Sequence, residues 1–165
     1  MEHTVENIQQ ENEMLPHILL MEDEPNVAKG LKMVMDENGY EVDWAATGQA
    51  ALDAFWAGRF DLLIADIRLP DIDGMEVIKQ VKQGSPDTGI IVITGYSTVS
   101  SAVEAMKLGA CDYLSKPFTE DEIKSAVKAA LKGKEKALKR ELPDASEALK
   151  EKAVPVHVVE KPEIE

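Results

Sequence analysis

The sequence predicts an α/β domain, a doubly wound five-stranded parallel sheet with helices on both faces. Three observations carry this. From His17 onward, short apolar runs alternate with segments of helical period. The runs Ile18-Leu19-Leu20-Met21, Leu62-Leu63-Ile64-Ala65 and Ile90-Ile91-Val92-Ile93 are almost unbroken aliphatic stretches, as expected of strands covered on both faces. Five strand–helix units joined by short links leave little but right-handed crossovers in one parallel sheet.

The strands are expected at His17–Met21, Glu41–Ala45, Leu62–Ala65, Ile90–Thr94 and Asp112–Ser115. A helical stretch follows each. In the first, Val27, Leu31, Val34 and Met35 keep the spacing of one helix face; Val99, Ala102, Val103 and Met106 do so in the fourth, and Ile123, Val127, Ala130 and Leu131 in the fifth. Gly39, Gly58, Gly84, Gly109 and Gly133 each fall just past a helical stretch, where a left-handed C-cap is wanted. Thr119-Glu120-Asp121-Glu122 has the form of a capping box opening the last helix.

The 165 residues suit one domain with tails: a polar extension over 1–15, the domain over 16–132, and a C-terminal extension over 133–165. That last extension is expected to be partly helical, with Lys134–Leu142 resuming a helix after Gly133, then Pro-broken and disordered or an interaction segment. The net charge of −13 divides as −4 over residues 1–16, −8 over 17–132 and −1 over 133–165. The acidity therefore belongs mainly to the folded part and disfavours direct nucleic-acid binding, which needs clustered Lys and Arg. Cys111 alone excludes an internal disulfide or a Cys-based zinc site. No run is long enough to span a membrane, and the start of the chain has neither the basic nor the apolar region of a secretory signal, so the chain reads as cytoplasmic.

Ligands of open α/β sheets bind outside the carboxyl ends of the strands. Here those ends carry Glu22 and Asp23, Asp66, Thr94 and Lys116. Singly, each has a plain structural reading: a helix cap for the carboxylates, a strand-end hydroxyl for Thr94, a turn before Pro117 for Lys116. Together the carboxylates make a poor structural device, because two like charges ~4 Å apart repel by roughly 4 kcal/mol at an effective dielectric near 20. A hard divalent cation removes that repulsion, and Mg²⁺ suits one or two carboxylates with a backbone carbonyl and waters. A calcium loop built on Asp71-Ile72-Asp73-Gly74 fails in register, since Leu69 and Gln80 would hold its first and last ligand positions. Lys116 can pair with Asp66 or with an oxygen of whatever joins it, and Pro117 permits a cis Lys116–Pro117 bond.

The ordered set Leu20-Met21-Glu22-Asp23-Glu24-Pro25, Ala65-Asp66-Ile67-Arg68-Leu69-Pro70 with Asp73-Gly74, Val92-Ile93-Thr94-Gly95 and Asp112-Tyr113-Leu114-Ser115-Lys116-Pro117-Phe118 resembles the response-regulator receiver domain of two-component signal transduction. The likeness covers roughly residues 16–132, and Ala102–Ala110 is similar to receivers of sigma-54-type activators. It implies a flavodoxin-like (βα)5 sheet of strand order 2-1-3-4-5. It also implies that Asp66 accepts a phosphoryl group from a sensor histidine kinase or a histidine phosphotransfer protein. Glu22, Asp23, Asp66 and the Arg68 backbone carbonyl would hold Mg²⁺, while Thr94 and Lys116 bind phosphoryl oxygens. Glu22 stands where many relatives have Asp. Tyr113 resembles the switch aromatic that follows Thr94, though it also reads as a half-exposed strand tyrosine. The fourth helix, fifth strand and fifth helix, residues 97–108 and 112–132, would form the face that meets a downstream protein or a second copy.

Such a chain catalyses only its own phosphorylation and dephosphorylation. The expected role is a stand-alone phosphoaccepting regulator; the alternatives are a phosphorelay intermediate or a fragment of a larger transcriptional regulator. A Mg²⁺-dependent aspartyl phosphohydrolase is the rival, but it wants a second Asp two residues beyond the nucleophile, where this chain has Arg68. No phosphate loop of the form G-x-x-x-x-G-K-[ST] is present, and His3, His17 and His157 lie in no kinase-like phosphoacceptor helix.

Overall fold

The computed structural model describes residues 15–141, with side chains as far as 133. Five strands, β1 His17–Met21, β2 Glu41–Ala45, β3 Leu62–Asp66, β4 Gly89–Thr94 and β5 Asp112–Ser115, form one parallel sheet in the order β2-β1-β3-β4-β5. Helices α1 Pro25–Glu37, α2 Gly48–Ala57, α3 Gly74–Gly84, α4 Val99–Lys107 and α5 Glu120–Glu141 alternate with them. The order 2-1-3-4-5 is the expected one. The compact unit closes at Leu131.

The period-2 alternation of the central strands sorts the core into two layers. Leu19, Met21, Leu63, Ala65, Ile90 and Val92 face α2, α3 and α4, through Leu52, Phe55, Val77, Ile78, Val81 and Ala105. Ile18, Leu20, Leu62, Ile64, Ile91 and Ile93 face α1 and α5, through Leu31, Met35, Ile123 and Val127. Burial on both faces explains why these strands have no polar alternation.

Helix starts follow local chemistry. The Thr47 side chain accepts from the Ala50 N–H and caps α2, and Asp73 accepts from Met75 and caps α3. At α5 the expected capping box is present: Glu122 N–H donates to Thr119 Oγ1 at 3.1 Å and Thr119 N–H donates to Glu122 Oε1 at 2.9 Å.

Two expectations are corrected. Only Gly39 and Gly109, at φ 83° and 106°, take the left-handed conformation. Gly58 is extended, Gly84 closes α3 ahead of a Ser85 cap, and Gly133 lies inside α5, which runs unbroken to Glu141. A single interior glycine costs only about 1 kcal/mol against alanine, and Ala, Leu and Lys on either side favour continuation. In α4 the stripe Val99, Val103 and Met106 faces outward, 82%, 45% and 49% exposed, while Ala105 is its buried residue. Periodicity locates an apolar face without saying what covers it.

The polar extension before Leu15 and the Pro-broken segment after Glu141 lie outside the described residues. No helix among the described residues is long and apolar enough to cross a membrane.

Candidate functional site

Parallel pairing carries the predicted residues to one edge of the sheet. Met21 pairs with Ala65, so Glu22 follows beside Asp66; Asp66 pairs with Ile93, and Thr94 with Ser115, one residue before Lys116. A cleft of about 340 Å³ opens there, lined by Asp23, Glu24, Asp66, Arg68, Tyr96 and Lys116.

Glu22 and Asp66 are buried, at 0% and 3% exposure. Lys116 sits between them: its Nζ donates to Asp66 Oδ2 at 2.8 Å and lies 2.6 Å from Glu22 Oε1. Glu24 Oε1 stands 3.6 Å from the same ammonium. The other Asp66 oxygen, Oδ1, accepts from the Arg68 N–H at 2.9 Å, and Glu22 Oε2 accepts from the Glu24 N–H at 3.1 Å. The Glu22–Lys116 approach is an ion pair without hydrogen-bond alignment, so Oε1 is buried with no directed donor. The Lys116–Pro117 peptide is cis.

Burial drives the Glu22 carboxyl from its ordinary 4.5 up to about 7, a rise that the adjoining Lys116 ammonium and the hydrogen bond from the Glu24 N–H only partly offset and that the Asp66 charge reinforces. Burial pulls the Lys116 ammonium the other way, downward, but the hydrogen bond that it donates to Asp66 and the negative charges of Asp66 and Glu22 outweigh this and hold the group above its ordinary range. The lysine therefore stays charged.

Carboxylate oxygens of Glu22, Asp23 and Asp66 come within 4.8 Å of one another. Three carboxylates against one ammonium leave an excess charge of about −2 when ionised, and one of the buried oxygens lacks a directed partner. A hard dication fits both features, and its all-oxygen donor set suits Mg²⁺.

The loops that carry these groups are tightly set. Gly74 N–H donates to the Ile67 carbonyl at 3.2 Å, and a Cβ at Gly74 would come within 2.4 Å of Ile67 Cα, so only glycine permits this approach. Thr94 is fully buried; its Oγ1 accepts from the Tyr96 N–H at 3.1 Å, and it does not line the open cleft. Tyr113 is half-buried, with its hydroxyl 2.6 Å from Ser101 Oγ. Ser97 and Ser115 also share a hydrogen bond, tying the start of α4 to the end of β5.

The structure thus brings Glu22, Asp23, Asp66 and Lys116 together, while Thr94 and Tyr113 do not line the cleft. Sequence reasoning missed the Arg68 side chain, whose guanidinium lies 3.8 Å above the Tyr96 ring at the cleft. It also missed Trp44, which reaches the Glu22 carbonyl from β2, and Asp71, which reaches from the loop after Asp66 to the first N–H groups of α2. No local spacing marks such contacts, although Asp71 belongs to a quoted acidic run.

A doubly wound sheet with this strand order, and with a buried aspartate and a lysine paired at its carboxyl edge, defines the class of a flavodoxin-like receiver. The chain belongs to the response regulator receiver domain family, whose sequence model matches residues 18–128. It is 36% identical over 125 residues to the transcriptional regulatory protein FixJ of Bradyrhizobium diazoefficiens, covering 76% of this chain and 61% of that protein. It is 37% identical over 118 residues to the response regulator ArlR of Staphylococcus haemolyticus, covering 72% and 53%. The chain therefore spans little more than half the length of these relatives. Among solved structures it is similar to a CheY-like receiver domain protein of Methanospirillum hungatei, with TM-score 0.73 and 30% identity over 75% of this chain and 99% of that one.

Proposed function

We propose that Asp66 is the phosphoacceptor of a two-component response regulator, loaded from the phosphohistidine of a sensor histidine kinase or a histidine phosphotransfer protein. The observation that carries this is the state of the Asp66 carboxylate. It is nearly buried, with Oδ2 on the Lys116 ammonium and Oδ1 on the Arg68 N–H. In the transfer an Asp66 oxygen attacks phosphorus, the donor's P–N bond breaks, and its imidazole leaves with that electron pair and takes up a proton. The product is an acyl phosphate. Lys116 supplies charge to the phosphoryl oxygens, and the rigid loop orients the carboxylate for in-line attack. Glu22, Asp23, Asp66 and the Arg68 carbonyl would hold Mg²⁺, which when bound neutralises the charge developing on the phosphoryl group.

Phosphorylation adds about −1.5 to −2 charges to an already acidic pocket. Thr94, one residue beyond the register partner of Asp66, is drawn toward the new oxygens, and Tyr113 follows into the space released. The outward stripe Val99, Val103 and Met106, with Tyr96 63% exposed in the loop before α4, supports α4, β5 and α5 as the face presented to a downstream protein or a second copy. We take the output to be protein contact, not direct nucleic-acid binding, given the net charge of −13. The greater length of the relatives favours, as a second reading, a receiver working within a larger transcriptional regulator.

Arg68 argues against a phosphohydrolase. It occupies the position where such an enzyme needs a carboxylic acid, and its side chain is engaged with Tyr96. The chain then acts only on its own phosphorylation. The test is incubation with acetyl phosphate: one acid-labile phosphoryl group should appear with Mg²⁺, be suppressed by chelator and be absent in Asp66→Asn. Wild-type labelling of Asp66→Asn would overturn the assignment.

A further inference from the structure

The corner between β2 and α2 touches both loops of the acidic site from outside it. On one side it grips the peptide that precedes Asp23. Glu22 N–H donates to the Ala45 carbonyl at 3.0 Å, and the Trp44 indole N–H donates to the Glu22 carbonyl at 2.6 Å. Both backbone groups of Glu22 are thereby fixed by the edge strand. Trp44 is 42% exposed, so this hydrogen bond is not a by-product of core packing.

On the other side the corner holds the loop that follows Asp66. Asp71 accepts from the Gly48 N–H through Oδ1 at 2.8 Å and from the Gln49 N–H through Oδ2 at 2.9 Å. These bonds hold its carboxyl below the ordinary range. The contact is close: a Cβ on Gly48 would lie 3.0 Å from Ile72 Cβ. Helix α2 already has a cap in Thr47, whose side chain accepts from the Ala50 N–H of the same helix at 3.0 Å. The Asp71 bonds therefore do something a local cap does not, joining the Asp66–Asp73 loop to the same corner that holds Glu22.

We infer that Trp44, Ala45, Gly48 and Gln49, with Asp71 opposite them, form a brace that sets the spacing between the Glu22–Asp23 and Asp66–Arg68 halves of the cation site, with Trp44 and Asp71 as the positioning residues. The inference rests on the Mg²⁺ site proposed above. A brace matters most for a small ion. Mg²⁺ demands near-ideal octahedral geometry at about 2.0–2.1 Å, whereas Ca²⁺ accepts variable coordination at longer distances. Loosening the brace should cost Mg²⁺ more than Ca²⁺.

The experiment is calorimetric titration of the full chain with Mg²⁺ and separately with Ca²⁺, for wild type, Trp44→Phe, Asp71→Ala and Thr47→Ala, each checked for folding by urea denaturation. Trp44→Phe keeps an aromatic ring, though a smaller one, and removes the N–H. Losing one or two hydrogen bonds should weaken Mg²⁺ binding about threefold to tenfold in Trp44→Phe and Asp71→Ala. Ca²⁺ binding should change by less than about twofold, and Thr47→Ala should bind both ions as wild type does while losing stability. Unchanged Mg²⁺ affinity in both brace variants would overturn the inference. Equal weakening of both ions in all three variants would overturn it too, by reducing the effect to a loosened helix. Failure of wild type to bind Mg²⁺ would remove the site reading, and the brace with it.

Discussion

Lys116 and Asp66 lie fifty residues apart in sequence and meet at 2.8 Å between Nζ and Oδ2. The same ammonium stands 2.6 Å from Oε1 of Glu22, whose side chain is wholly buried. One cation thus compensates two buried carboxylates. Each would be costly to leave ionised alone, and the pair would repel without the lysine.

Removing the cation should therefore be expensive before any chemistry is considered. Lys116→Ala is expected to lose about 3 kcal/mol of stability at neutral pH in chelator, the usual scale for breaking a buried pair from one side. Added Mg²⁺ should return part of it by binding the same carboxylates. Urea denaturation with and without Mg²⁺ measures both effects. A variant as stable as wild type in chelator would show that the pair does not hold the pocket together.

Glu22 makes the cation-free protein sensitive to pH. Its carboxyl is raised from 4.5 to about 7 in the fold, so between those values the folded chain binds a proton that the unfolded chain has released. Stability in chelator should thus be highest below about pH 4.5 as far as this group is concerned, fall as pH rises toward 7, and level off above it. The displacement from 4.5 to about 7 corresponds to roughly 3 kcal/mol across the window. Glu22→Gln should flatten this slope, and denaturation midpoints at pH 5 and pH 8 would show it. An identical slope in the variant would place the dependence elsewhere.

The Ser101–Tyr113 hydroxyl contact at 2.6 Å bears on switching. It holds the tyrosine ring by its tip, and inward motion of the ring must break it. Ser101→Ala should shift the population toward the activated arrangement and raise affinity for a beryllium–fluoride phosphate mimic by about twofold to tenfold, the worth of one hydrogen bond. Tyr113→Phe should act in the same direction on this contact. Mimic affinity equal to wild type in Ser101→Ala would mean that the bond persists in both states.

Much of this was legible in sequence because the central strands are buried on both faces. Ile18–Met21, Leu62–Ala65 and Ile90–Ile93 have no reason to be wholly aliphatic otherwise, and the polar residues that end them stand out for that reason. Thr119 and Glu122 announced their helix start equally plainly. What sequence left ambiguous depends on neighbours far along the chain. The stripe Val99, Val103 and Met106 has core spacing yet faces outward, because Ala105 and not the stripe meets the sheet. Gly133 looks like a stop but costs too little to end α5. Trp44 and Asp71 act through contacts fixed only once β2 and α2 are in place, which no short motif encodes.

Identifying the residue that carries the phosphoryl group tests the role of Asp66 most directly. After reaction with acetyl phosphate and Mg²⁺, borohydride reduces an aspartyl phosphate to homoserine, and peptide mass spectrometry locates it. Homoserine is expected at position 66, with none when Mg²⁺ is chelated. Reduction at another aspartate, or phosphate retained on a hydroxyl side chain with Asp66 unmodified, would contradict that role.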